Sequence, residues 1–166
     1  LSYANNFKWK TSGGEDRYRR GMYTFFKRTA PYPNLTTFDC PDANTTTVER
    51  RTSNTPLMAL TTLNNMVFVE SAQALARRVL AEKHQGDTER LIRAFRLCVA
   101  RPPSTDETKA YQELLTTSRD YYKNNPDAAK KLVGPQPPQN IELSEAAAWV
   151  ATSRIMMNMD EFVTRE

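Results

Sequence analysis

The sequence predicts a mainly α fold, a helical bundle of four or five helices that follows an extended N-terminal arm and a long proline-rich loop. Two observations carry this prediction. Apolar residues recur at helical spacing through much of residues 54–166, and Thr, Ser or Asn stands where helices should begin. Residues 1–53 instead combine spaced aromatic residues with glycine and proline, which favour turns and loops. At 166 residues, we expect one domain with these two parts.

Residues 1–14 form a polar arm with spaced aromatic residues, and a glycine pair at its end marks a turn. Residues 17–28, RYRRGMYTFFKR, fit two interpretations. Their aromatic and Thr content favours a strand, which would form a loose hairpin across the glycine pair. The spacing of Tyr18, Met22 and Phe25 fits a helix instead. Both interpretations stay open at the level of the sequence.

The stretch from residue 29 to residue 49 is predicted to be a long loop. Pro31, Pro33 and Pro41 each fix φ and remove a backbone donor, so we expect them to prevent regular structure. A loop of this length inside a compact domain is either packed by its own side chains or functional. Its candidate anchors are Tyr32, Leu35 and Phe38.

The stretch that organises the helical part begins at Thr55-Pro56, because Thr caps orphan backbone N–H groups and Pro suits the first helical position. Asn65 interrupts the apolar periodicity that follows, and Asn is a better cap than interior helix residue. We therefore predict two helices, 56–64 and 66–83. The alternative is one continuous helix of about 28 residues, about 42 Å long.

The remaining chain predicts further helices, separated by capping and helix-breaking residues. Gly86 is expected to end the helix before it. Ser104 or Thr105 is expected to cap a later helix. The predicted elements are helices over residues 88–100, 105–124 and 126–133, a stiff proline-rich linker over 134–138, and a last helix over 144–163.

The charge of the chain is uneven. Residues 1–53 hold nine Lys or Arg and five Asp or Glu, whereas residues 54–166 hold fourteen of each kind. This excess is too small to indicate nucleic acid as a partner, and we interpret it as a solvated basic surface. The sequence has no run of 18 apolar residues, so we expect no membrane span. It begins at Leu1 without an initiating Met or a signal peptide, so we expect a fragment of a longer protein.

The cysteines and the histidine restrict the chemistry of this chain. Cys40 and Cys98 lie 58 positions apart, and the sequence leaves open whether they pair. Neither belongs to a CxxC or CxxCH pattern, which excludes covalent haem and most zinc sites here. His84 is the only histidine, so neither a Ser-His-Asp arrangement nor a multi-histidine metal site can form within the chain. We interpret His84 as a solvated residue at a helix end, and expect no cofactor or metal.

The candidate ligand site is a polar cluster before the first helix, formed by Arg28, Asp39, Arg50, Arg51 and Asn54. Arginine forks pair with carboxylates, and anions are favoured near a helix start, so the cluster could hold a carboxylate or sulfate group of a ligand. The competing interpretation is an internal network that ties the long loop to the helix, because buried polar groups must be paired.

Two other groups of residues also have a functional and a structural interpretation. The pairs Asp106-Glu107 and Asp160-Glu161 are adjacent in sequence, so their side chains point to different sides of a helix and suit dipole and surface roles better than glycosidase chemistry. The aromatic residues of the arm and loop could stack on sugars or pack the arm against the helices. These aromatic residues are Tyr3, Phe7, Trp9 and Tyr32.

Three blocks of the sequence together resemble one known family. They read YRRGMYTFFKRTAPYPNLTTFDCPD from Tyr18, RRTSNTPLMALTTLNN from Arg50 and AAAWVATSRIMMNMDEFVTRE from Ala146. Their order and spacing resemble the planctomycete-type PSD1 domain, also known as domain of unknown function 1553, over essentially the whole chain. The segment SNTPLMAL at residues 53–60, followed by a broken helix, is quite specific to that family.

The resemblance implies context rather than chemistry, because the family has no established catalytic residues. Such domains usually form the C-terminal part of large exported proteins, periplasmic or extracellular, that often carry a c-type cytochrome module. Haem c would then belong to another part of the polypeptide. We expect a non-catalytic structural or interaction module that docks to a neighbouring domain or a partner chain. The alternatives are a part of a hydrolase or redox active site completed by other segments, and a module that binds anionic polysaccharide.

Overall fold

The computed structural model describes residues 8–27, 29–41, 44–49 and 53–164. That part of the chain has eight α-helices and no strand, which confirms the prediction of a mainly α fold. The chain divides into two compact units, Leu1–Thr61 and Thr62–Glu166, here called the N-terminal unit and the helical unit. The division lies inside a helix, and the predicted single domain with an arm and loop up to residue 53 stays a prediction.

Helices make up the regular structure of the described residues. Two 3-10 helices span Gly14–Tyr18 and Gly21–Tyr23. The α-helices are α1 (Pro33–Thr37), α2 (Pro56–Asn64), α3 (Met66–Ala81), α4 (Asp87–Val99), α5 (Thr105–Asn124), α6 (Pro126–Val133), α7 (Leu143–Met156) and α8 (Asp160–Val163). None of these described helices has both the length and the hydropathy needed to cross a membrane.

The N-terminal unit corrects two expectations. The strand and hairpin interpretation is wrong for the described part of residues 17–28, because the chain forms 3-10 turns there. The N–H of Tyr23, for example, donates to the carbonyl oxygen of Arg20 at 2.9 Å. The prolines of the loop do not exclude regular structure either. Pro33 is the first residue of α1, where a missing N–H costs no helical hydrogen bond.

The predicted break at Asn65 is confirmed, and one continuous helix is excluded. This residue has an extended backbone with ψ 133°, and α2 ends and α3 begins on either side of it. Its side-chain oxygen accepts a hydrogen bond from the N–H of Val67 at 3.0 Å. That bond satisfies one of the orphan donors at the start of α3, which is the role that favours Asn at a cap.

Two helix ends differ from the predictions. Gly86 does not end α3, which stops at Ala81; it is the residue before α4. The predicted last helix over 144–163 is interrupted between α7 and α8, where Met159 has an extended backbone with ψ 151°. Near this interruption the side-chain oxygen of Asn158 accepts a hydrogen bond from the Thr62 hydroxyl. A contact between residues so distant in sequence favours the interruption, and helical periodicity cannot predict it.

Helix α7 lies at the centre of the helical unit and packs against α3, α5 and α6. Buried residues occupy most sides of it between Ala146 and Met156, although Ile155 is 43% exposed. Small residues on several sides let neighbouring backbones approach closely, whereas Trp149, with no exposed surface, fills a large volume. A helix with buried residues on most of its sides needs packed partners around it, so the core of this unit is organised around α7.

Candidate functional site

Five large apolar side chains within residues 18–26 of the N-terminal unit are exposed to solvent. Their exposed fractions lie between 40% and 70%. Single exposed apolar residues are ordinary on a protein surface, but five of them in so short a segment indicate a contact surface. This N-terminal apolar surface consists of Tyr18, Met22, Tyr23, Phe25 and Phe26.

The local backbone explains why these side chains stay exposed. The two 3-10 helices have five and three residues, which is too short to bury a continuous face. Arg20 and Thr24 flank the second of them with extended backbones, ψ 144° and 132°. Gly21 holds the segment close to the loop, since a Cβ at this position would lie only 2.9 Å from Cδ2 of Leu35. The contact supports Leu35 as an anchor of the loop.

Two aromatic residues that could have served as an open sugar-binding platform contact each other instead. The indole N–H of Trp9 donates to the carbonyl oxygen of Ala30 at 3.1 Å. Its ring meets the ring of Tyr32 edge-on, with centroids 5.2 Å apart. These contacts favour the packing interpretation for this pair. Tyr3 and Phe7 lie outside the described residues.

Basic residues flank the N-terminal apolar surface along the chain. Residues 8–27 hold six Lys or Arg and two acidic residues. Nε of Arg19 lies 2.6 Å from Oδ1 of Asp16, but the two side chains are 61% and 65% exposed, so this pair contributes little to stability. Nε of Arg17 donates to the carbonyl oxygen of Ser12 at 3.0 Å. The segment therefore combines exposed apolar side chains with a net positive charge.

The predicted polar cluster is only partly described. Arg28, Arg50 and Arg51 lie outside the described residues, so the cluster as a whole stays a prediction. Asp39 has a left-handed backbone with φ 52°, which Asp tolerates better than most residues, and its carboxylate accepts a hydrogen bond from the hydroxyl of Ser53. Asn54 is exposed just before α2. The bond from Ser53 ties the end of the loop to the segment that enters α2, as the internal-network interpretation expects.

Arg101 forms a polar centre in the helical unit that no sequence pattern reveals. Its guanidinium donates to both carboxylate oxygens of Glu107, at 2.7 and 2.9 Å, and to both of Glu161, at 2.5 and 2.8 Å. It also lies 4.9 Å from the centroid of the Phe95 ring. Glu107 additionally accepts from the N–H of Ser104, which completes the capping box of α5.

These hydrogen bonds shift the proton affinities of the centre. The bonds from Arg101 and from the Ser104 backbone lower the pKa of Glu107 to about 2. Arg101 lowers the pKa of Glu161 as well, and its own pKa is raised in turn by the two carboxylates. Both glutamates belong to the adjacent acidic pairs. Their role in joining and capping helices agrees with the structural interpretation of those pairs.

Arg119 is a second polar centre that the sequence does not reveal. Its Nε and one terminal nitrogen each lie 2.6 Å from an oxygen of Glu145, and the other terminal nitrogen lies 2.7 Å from Asp87. Glu145 also accepts from the indole N–H of Trp149 at 2.8 Å. The guanidinium therefore links α4, α5 and α7 and stabilises their packing in the bundle.

The surroundings of the two cysteines and of the histidine suit structural roles. Cys40 and Cys98 are free thiols, and burial raises the pKa of Cys98 to about 11, so this thiol stays protonated at neutral pH.

The expectation of a solvated histidine is wrong, because the His84 side chain is only 15% exposed and lies 3.3 Å from Glu82. Among the described residues, no group of His, Cys, Asp and Glu side chains could hold a metal ion.

A shallow cleft in the helical unit is small for a ligand site. It has almost no space that could hold even a water molecule, whereas pockets for drug-sized ligands hold roughly 300–1,000 Å³. The amide of Gln73 beside it donates to the carbonyl oxygen of Leu132 at 2.7 Å, and so is used to hold the end of α6. The lining residues are Gln73, Ala76, Arg77, Leu80, Val133, Gln136, Pro138, Ala146 and Val150.

Comparison with known proteins identifies one family. A family model matches residues 2–115, and its description reads PSD1: Protein of unknown function (DUF1553). The match covers more than half of the chain and includes two of the three sequence blocks, whereas the third block, residues 146–166, lies beyond it. Searches of curated proteins and of solved structures each find no significant match.

Proposed function

The chain belongs to the PSD1 (DUF1553) family, and on that premise we propose that it is a non-catalytic interaction module. Its N-terminal apolar surface docks to a neighbouring domain of the same polypeptide or to a partner chain. The observation that carries this proposal is the exposure of Met22, Tyr23 and Phe25, each at least 65% exposed within four residues of one another. Covering side chains of this size by a partner gives a large gain in free energy.

The polar centres of the helical unit support a structural rather than a catalytic role for that unit. Arg101 and Arg119 each direct their donors at two carboxylates of the same chain. Arg101 lowers the pKa of both Glu107 and Glu161, which makes these two carboxylates poor general acids or bases near neutral pH.

The wider context of the module is part of the proposal and rests on the family. We place it in an exported polypeptide that also carries a c-type cytochrome module. The residues of this chain do not fit covalent haem attachment, because neither Cys40 nor Cys98 is part of a CxxCH pattern. Any haem c of the parent polypeptide would therefore be attached to a different segment.

Hydrogen exchange read by mass spectrometry tests the docking function. The chain of 166 residues is compared with the protein purified from its native source. We expect peptides covering residues 17–27 to exchange more slowly in the native protein, because a partner covers them there. Peptides from α5 serve as the internal control and should exchange equally in both samples. Equal exchange over residues 17–27 would show that nothing covers the surface and would overturn the proposal.

Intact mass and haem staining of the native protein test the cytochrome context separately. A haem-bearing polypeptide much longer than 19.0 kDa agrees with a module of an exported redox protein. A species of 19.0 kDa without haem contradicts that context. The docking function does not depend on this result, because a separate partner chain could cover the same surface.

A further inference from the structure

Resting on the proposed docking function, we infer that the partner of the N-terminal apolar surface is an acidic protein surface that presents apolar side chains of its own. Three properties of residues 17–27 lead to this chemistry: the residue types, the charge and the exposed area.

The residue types are those of a protein interface. Protein–protein contacts are enriched in Tyr, Phe, Met and Arg at their cores, and depleted in Lys, Glu and Asp. The segment from Arg17 to Phe26 contains three Arg, two Tyr, two Phe and one Met, without any acidic residue. Met22 adapts its unbranched side chain to an irregular partner surface, and arginine and tyrosine are the residues that most often dominate binding energy.

The positive charge of residues 17–27 favours a negatively charged partner. Arg19 and Arg20 are exposed beside the apolar side chains. Asp16 pairs with Arg19, three positions along the chain, in an exposed contact, which contributes little to stability and is easily exchanged for another carboxylate. A partner with Asp or Glu around an apolar centre complements this arrangement, and complementary charge raises the association rate and excludes basic competitors.

The exposed area is compatible with one side of a stable interface. Five apolar side chains that expose 40–70% of their surface present on the order of 600 Å² in total, since such side chains have roughly 200 Å² each. A standard interface buries about 800 Å² on each partner. The apolar surface supplies most of that area, and the adjoining arginines supply a polar rim.

The same residues fit an anionic polysaccharide less well. Sugar binding needs flat aromatic faces together with hydrogen-bond donors and acceptors that match the hydroxyl groups. Met22 and Phe25 have no polar tip to offer, and covering them with hydroxyl groups would leave those groups without partners. Trp9 already uses its ring and its N–H in contacts with residues of its own unit.

A random peptide library displayed on phage tests the inference with a defined probe. The chain is immobilised and used to select peptides, whose sequences are then compared with the unselected library. We expect the selected peptides to be enriched both in Asp or Glu and in apolar residues. The double variant with Met22→Ser and Phe25→Ser should bind a selected peptide at least about tenfold more weakly, as expected for the loss of two core contacts.

The matched control is Tyr121→Ser, which changes an exposed aromatic residue of the helical unit. It should leave the affinity for the selected peptides unchanged. Circular dichroism of each variant confirms that the helices are intact. Polygalacturonate is added as a competitor at matched charge, and we expect it to displace the peptides poorly.

Three results would overturn the inference: selected peptides without acidic enrichment, equal binding by the double variant, or tighter binding of polygalacturonate than of the peptides. The last would identify the partner as a polysaccharide. These failures differ from failure of the docking function, which is read from hydrogen exchange in the native protein. Protection of residues 17–27 there, with no acidic selection here, would leave the docking function standing and reject only this partner chemistry.

Discussion

The N-terminal unit and the helical unit place their apolar side chains in opposite ways. Among the described residues, every buried apolar residue except Met58 belongs to the helical unit, whereas eight of the eleven large exposed apolar side chains belong to the N-terminal unit. The helical unit therefore contains almost all of the described apolar core. The N-terminal unit keeps a large apolar area outside any core, which a folded protein retains when that area is used for contact.

A matched pair of phenylalanine variants gives the largest expected effect in this comparison. Phe95 has no exposed surface, packs edge-on against Tyr111 and lies beneath Arg101. We expect Phe95→Ala to lower the free energy of unfolding by about 3–5 kcal/mol, measured by urea denaturation. Phe25→Ala makes the same chemical change at a side chain that is 69% exposed. This variant should change the free energy of unfolding by at most about 0.5 kcal/mol. Equal losses would show that both units share one core.

The acidic side chains of the helical unit give a smaller effect that depends on pH. The pKa of Glu107 falls from 4.5 to about 2 on folding, and that of Glu161 falls as well. Because both are depressed in the folded state, their stabilising contribution is complete above pH 4.5 and is lost as the pH decreases towards 2. The midpoint of urea denaturation should therefore fall over this range.

The control for the pH dependence is Arg101→Gln, which removes the guanidinium responsible for both shifts. We expect this variant to be less stable at pH 7, and to lose less stability than the unmodified chain as the pH falls below 4.5. Parallel pH profiles for the two proteins would mean that Arg101 is not the source of the dependence.

The sequence predicts the elements of this fold better than its contacts. The break at Asn65, the cap at Ser104 and the helix that starts at Pro126 depend on neighbouring residues, and local patterns reveal them. The interruption after Met156 lies beside a hydrogen bond between Asn158 and Thr62, which are 96 positions apart. No periodicity along the chain carries such information.

The site was harder to predict than the fold, for the same physical reason. Arg101 meets Glu161 across 60 positions, so only the assembled bundle brings them together. In the N-terminal unit, the aromatic periodicity of residues 17–28 fits a strand or a helix, and both imply a buried face. The short 3-10 helices bury none of their residues. An apolar surface left open to solvent is thus visible only after the backbone is known.

The free energy of unfolding of the Met22→Ser, Phe25→Ser double variant tests the central claim most directly, although its expected effect is the smallest. If the N-terminal apolar surface serves contact rather than folding, urea denaturation should give the unmodified value within about 0.5 kcal/mol, while the affinity for selected acidic peptides falls. A loss of about 2 kcal/mol or more, the range of buried apolar side chains, would contradict the account. Those side chains would then belong to a core.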